Sequence, residues 1–166
     1  EIGVRLVGSE MCIRDSRLEV SCGHSENEGH SVGLLYIDLD GFKPVNDRYG
    51  HEIGDQVLRK VGERIKNTIR QGDTVARLGG DEFAVIADDV NGREEAEWVA
   101  QKIAASIQRP IEIDALSITV GASVGIAIFP TDCKETVALL GLADEKMYQN
   151  KRIRKSRSGD LASALK

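Results

Sequence analysis

Cysteine is scarce: Cys12, Cys22 and Cys133 are odd in number, widely spaced, and form no C-x-x-C. That spacing excludes a zinc ribbon or a disulfide framework and points to a reducing, cytosolic setting. No apolar run approaches the ~18–20 residues that cross a bilayer. The best one, 118–129, is shorter and holds Thr119, Gly121, Ser123 and Gly125. No signal peptide is visible, and membrane attachment of a longer parent stays open. There is no Gly-Lys pair, hence no Walker A loop, and no G-x-G-x-x-G. His24, His30 and His51 lack zinc-ligand spacing, and no Ser-His-Asp order stands out. Positive charge is also short: 22 basic against 27 acidic side chains leave a net charge of −5. That balance speaks against a nucleic-acid coat.

What is present suits one compact domain, since 166 residues exceed a minimal core but hardly make two domains. At 41% hydrophobic and 30% charged, the chain can bury a core. Its charge is uneven. Residues 1–150 balance at −10, whereas 151–166 balance at +5. The acidic body suits cations and the basic end suits anions. Residues 1–16 show no sustained period, and 8–16 resemble a sequencing adapter translated in frame. This segment is expected to be non-native or disordered, with the domain proper at 17–155 and a tail at 156–166.

Order is expected from about Ser31. The apolar run 32–39, ended by Asp38, Asp40 and Gly41, reads as a buried strand. Residues 42–49 fit one or two helical turns, with Pro44 tolerated near their start. Ile53, Val57, Leu58, Val61, Ile65 and Ile69 recur at helical spacing, predicting an amphipathic helix to about Arg70. The runs 74–78 and 83–87 flank Gly79-Gly80-Asp81-Glu82, a hairpin signal. Helices are predicted over 94–107 and 136–150, and a strand over 118–129 with a bend at Gly121 or Gly125. Trp98 is expected to pack inward. The order predicts an α/β sandwich with helices on a mixed sheet.

Acids gather at the turns. Asp38 and Asp40 end the first strand, and Asp81 and Glu82 sit in the hairpin turn. If the first strand lies beside the hairpin, Asp38 and Asp81 converge at one sheet end. Hard divalent cations take oxygen ligands, often one or two carboxylates plus substrate phosphates. Carboxylates at strand ends are also commonly just solvated, so the pattern alone leaves both readings open.

Here the residues carry a resemblance. Leu78-Gly79-Gly80-Asp81-Glu82-Phe83 resembles the signature of the GGDEF family, the diguanylate cyclases. Tyr36-Ile37-Asp38-Leu39-Asp40-Gly41-Phe42-Lys43, Asn46-Asp47, Tyr49-Gly50-His51, Gly54-Asp55 and Ala122-Ser123-Val124-Gly125-Ile126-Ala127 extend the likeness over about residues 31–155. The resemblance implies a fold like the palm of nucleotide cyclases and polymerases. It implies condensation of two GTP into cyclic di-GMP in bacterial second-messenger signalling, with Mg²⁺ as cofactor and Mn²⁺ as an alternative. Asp38, the Leu39 carbonyl and Asp81 match the metal ligands. Glu82 matches the second signature acid, its role between metal contact and proton transfer left open. Asn46 and Asp55 match guanine readers, although Asp55 also suits a helix start. Gly79 and Gly80 would let backbone approach the nucleotide, the Gly41-Phe42-Lys43 amides would cradle phosphate, and Lys151 would neutralise it. Arg70 and Asp73 form an R-x-x-D pair at the spacing of the family's product-inhibition site.

The family's opening D-x-L-T-x-L-x-N-R segment is missing, and after Lys151 the chain reads Arg-Ile-Arg-Lys-Ser where the family shows x-x-G-R-N. Turnover is expected to need a homodimer, and the native protein to carry a fused sensor or regulatory domain. The alternatives from the sequence are a silent GTP-binding module and a cyclic di-GMP receptor using only Arg70 and Asp73.

Overall fold

The computed structural model describes residues 10–164. A four-stranded sheet runs in the order β2-β3-β1-β6. Its strands are β1 (Ser31–Asp40), β2 (Thr74–Gly79), β3 (Glu82–Val90) and β6 (Gly121–Phe129). A small hairpin, β4 (Ile111–Ile113) with β5 (Leu116–Ile118), stands apart from it. Five helices complete the described chain: α1 (Glu10–Glu28), α2 (Phe42–Tyr49), α3 (His51–Thr68), α4 (Arg93–Gln108) and α5 (Thr136–Ala164).

β1 explains the arrangement. Its near-continuous apolar run has no polar face, as a strand covered on both sides requires. Leu35, Ile37 and Leu39 pack into the larger core with Val57, Val61 and Ile65 of α3 and Ile103 and Ile107 of α4. Val32, Leu34 and Tyr36 point the other way, into a second core with Leu18 of α1 and Leu139, Ala143 and Met147 of α5. Each fully buried aliphatic side chain contributes about 1.5–3 kcal/mol relative to exposure. The side-chain period of two then carries Asp38 and Asp40 onto the α5 side of the sheet.

Gly125 sets how closely α5 lies there. A Cβ at that position would fall 2.0 Å from the Ala143 carbonyl oxygen and 2.2 Å from the Met147 nitrogen. Only glycine lets helix backbone and sheet approach so tightly.

Several expectations change. The sheet is antiparallel at every described pairing rather than mixed, because β3 and β6 flank β1 and both oppose it. The expected strand 118–129 is two pieces: Ile118 pairs with Ile111 in the small hairpin, and β6 begins at Gly121. Of the segment 1–16, expected to be non-native or disordered, residues 10–16 lie in α1 and residues 1–9 fall outside the described part. The tail at 156–166 is helical as far as Ala164, because α5 continues past Asn150. α3 stops at Thr68, and Arg70 lies in the following turn. Trp98 is 52% exposed and does not pack inward. The hairpin, the short α2 and the amphipathic α3 and α4 match the reading from periodicity.

Candidate active site

The Gly79-Gly80-Asp81 turn joins β2 to β3, with φ of 146° at Gly79 and 50° at Gly80. Such angles favour glycine, and a Cβ on either would meet only open space. The turn is tied to β1 by the Leu39 amide, which donates to the Asp81 carbonyl at 3.1 Å. Asp38 stands opposite Glu82 in the β1–β3 register and opposite Ser123 in the β1–β6 register. Asp38, Asp81 and Glu82 thus meet at one end of the sheet, as the strand–hairpin reading expects.

Three side chains there were not singled out from the sequence. Ser123 is buried and its hydroxyl donates to the Asp40 carboxylate, at 2.8 Å to one oxygen and 3.0 Å to the other. Arg154 approaches Asp40 at 3.5 Å and also donates to the Ala122 carbonyl. Tyr36 hydrogen-bonds to Glu82. The available signal was parity: Tyr36, Asp38 and Asp40 lie two apart and share a face. Arg154 lies three residues beyond Lys151, on the same side of its helix.

Lys151 is where its basic segment meets the acidic body. Its ammonium forms an ion pair with Asp38 and lies 3.8 Å from Asp40. Burial lowers the Lys151 pKa, but the Asp38 hydrogen bond and the surrounding carboxylates outweigh burial and raise it. Asp38 is pushed up by burial, then by Asp81 and Asp40, while Lys151 opposes the shift. Glu82 is also pushed up, chiefly by burial, then by Asp38, Asp144 and Asp81, against the Tyr36 hydrogen bond. Burial, with Glu82 second, drives the Tyr36 hydroxyl well above its ordinary range. The pocket therefore concentrates negative charge that the protein only partly neutralises.

The remaining residues fall in two other places. Gly41, with φ of 81°, directly follows Asp40 and precedes α2, whose N-terminus has no side-chain cap. Phe42 is buried, and Gly41 and Lys43 are exposed. Asn46 lies against Gly54 across the α2–α3 angle: a Cβ on Gly54 would fall 1.8 Å from Asn46 Oδ1. That Oδ1 is buried without a hydrogen-bond partner, while Asp55 beside Gly54 is exposed. Arg70 and Asp73 occupy the turn before β2, at the end of that strand away from Gly79. Asp73 accepts from the Arg70 amide at 2.9 Å and the Asp88 amide at 3.1 Å. The Arg70 guanidinium pairs with Glu95 of α4.

A palm-like antiparallel sheet, helices on both faces and an acidic glycine turn at one end define a nucleotide-cyclase type of domain. The family model "Diguanylate cyclase, GGDEF domain" matches residues 13–157, and the chain belongs to this family. It is 40% identical over 139 residues to the bifunctional diguanylate cyclase/cyclic di-GMP phosphodiesterase MucR of Pseudomonas aeruginosa, covering 82% of this chain and 20% of MucR. Diguanylate cyclase TpbB of Pseudomonas aeruginosa is 39% identical over 139 residues, covering 83% of this chain and 32% of TpbB. The crystal structure of the TpbB GGDEF domain gives a TM-score of 0.83 at 38% identity, covering 85% of this chain and 88% of that one. The GGDEF domain of DgcB from Caulobacter crescentus, solved in complex with c-di-GMP, gives a TM-score of 0.75 at 27% identity, covering 83% and 82% of the two chains. The chain thus spans about a fifth of MucR and about a third of TpbB. Among the described residues, no helix is long and apolar enough to cross a membrane.

Proposed function

We propose that this domain condenses two GTP into cyclic di-GMP, releasing two pyrophosphates. The observation that carries the proposal is the pairing of the Asp81 turn with the Asp38 end of β1 through the Leu39–Asp81 backbone bond. In each of two steps a ribose 3′-oxygen bonds to the α-phosphorus of the other GTP. The bond from that phosphorus to pyrophosphate breaks, and the hydroxyl proton leaves to a base. Glu82 is the side chain suited to accept it, since burial raises its pKa toward working pH. Lys151 holds positive charge on the acidic face of the pocket, where triphosphate charge needs neutralising. Asn46 and Asp55 would accept from guanine N–H groups, a role supported at Asn46 by its Oδ1 having no hydrogen-bond partner in the protein.

The donor set fits a small hard divalent cation. Among the described residues no three His, Cys, Asp or Glu side chains form a cage. One or two carboxylates with substrate phosphates and water are what Mg²⁺ ordinarily takes, and Mn²⁺ accepts similar oxygen donors. Asp38, the Leu39 carbonyl and Asp81 would hold the ion. When bound, it supplies charge neutralisation for the triphosphate.

Each domain would hold one GTP, so turnover needs two copies face to face. Arg70 and Asp73 would take product and restrain turnover. The test is incubation of purified protein with GTP and Mg²⁺, identifying products by mass spectrometry across a dilution series. Cyclic di-GMP is expected, with specific activity falling on dilution. Activity that stays flat through the monomer–dimer range overturns the two-copy requirement. The cyclic di-GMP phosphodiesterase NbdA of Pseudomonas aeruginosa, 38% identical over 136 residues and not named as a cyclase, motivates a second reading as a GTP-binding regulatory module. GTP binding without any product would establish that reading instead.

A further inference from the structure

Trp98 is the chain's one tryptophan, and it stands half exposed on α4. The Lys102 ammonium lies 3.9 Å from the centre of its ring, a cation–π contact on the outer surface. Three residues before Trp98 on the same helix, Glu95 holds the Arg70 guanidinium. Residues three and four apart share a helix face. Arg70, Glu95, Trp98 and Lys102 therefore form one row, starting at the Arg70–Asp73 turn and running along α4.

We infer that Trp98 is a stacking platform for a guanine base of the cyclic dinucleotide, with Lys102 presented to that ligand's phosphate. This rests on the proposal that product binds at the Arg70–Asp73 turn. The chemistry of the row matches a ligand with both a flat aromatic face and a phosphate. An indole offers any purine a broad π surface, and stacking of this kind carries substantial binding energy. Asp73 holds two backbone amides, so the turn is shaped before a ligand arrives. The Arg70 guanidinium is 58% exposed, whereas Glu95 is 17% exposed and also held by two Asn91 hydrogen bonds, so Arg70 can turn to a ligand while Glu95 stays in place. A bare polyphosphate has no face to stack on the indole, which separates it from a dinucleotide at this row.

Fluorescence of the single tryptophan reads this directly. Titration with cyclic di-GMP should change Trp98 emission and saturate where calorimetry shows binding to saturate. Trp98→Ala should weaken binding about tenfold, by the usual magnitude of base stacking. Trp98→Phe should recover most of that loss, and Glu95→Gln should tighten binding by freeing Arg70. Early GTP turnover by Trp98→Ala should match the parent. If the dinucleotide binds the parent and Arg70→Ala abolishes binding, yet emission is unmoved and Trp98→Ala binds equally well, stacking is wrong and the Arg70–Asp73 site stands. If calorimetry detects no binding to the parent, both fall.

Discussion

The turn entering β2 and the turn leaving it each place an aspartate directly before a strand, yet the two carboxylates have different partners. Asp73 accepts from two backbone amides, of Arg70 and Asp88, and so closes its own turn and braces β3. Asp81 contributes its backbone carbonyl to Leu39, while its carboxylate accepts no hydrogen bond among the described residues. Similar chemistry thus closes a turn at one end of the strand and leaves a carboxylate without a hydrogen-bond donor among the described residues at the other. The glycines make the second case possible: they form the turn without borrowing the acid.

The largest effect that separates the two turns is on chemistry. Asp81→Ala should lower GTP turnover by about a hundredfold or more, the usual scale for losing an electrostatic catalytic group. The thermal midpoint should barely move, because the carboxylate supports no fold contact. Normal turnover by a folded Asp81→Ala protein would falsify the cyclase assignment.

Asp73→Ala should do the reverse. Losing an acceptor for two amides costs about 1–3 kcal/mol, or a fall in Tm of roughly 3–9 °C for a chain of this size. Initial turnover per folded molecule should stay close to the parent's. An unchanged melting curve would show that the Asp73 bonds do not brace the turn.

How much was readable follows the same division. Asp38, Asp81 and their meeting at one sheet end were legible, because glycines and strand runs punctuate that region clearly. The structural role of Asp73 was not, since its amide partners Arg70 and Asp88 are brought together only by the β2–β3 pairing. α1 was missed because Leu18 and Cys22 are a thin apolar stripe among buried Ser21 and Ser25. Trp98 read as core because an isolated tryptophan in an amphipathic helix usually is, and its exposure depends on which α4 face meets the sheet. The split at Thr119–Val120 was hidden by an apolar run that continues through it: Val120 is buried though it belongs to neither strand.

The smallest effect concerns the half-buried Glu82. Burial raises the Glu82 pKa, so the folded chain retains its proton to higher pH than the unfolded chain. Stability therefore falls as pH rises from the ordinary glutamate range through the raised value. Glu82→Gln removes that dependence while still accepting from Tyr36. The variant should melt slightly higher at neutral pH, on the order of 2 °C, and the gain should vanish in acid, where the parent is also protonated. A variant that gains equally at every pH would show that charge in the pocket is not the cause.

Gly125 has a consequence for this acidic pocket that reaches beyond packing. Its missing side chain acts as a gauge block between sheet and helix, fixing the height at which α5 rides on the sheet. Met147, whose backbone fills that gap, lies one helical turn before Lys151. A tolerance of a few tenths of an ångström at a position with no charge thus becomes the alignment tolerance of the ammonium opposite Asp38.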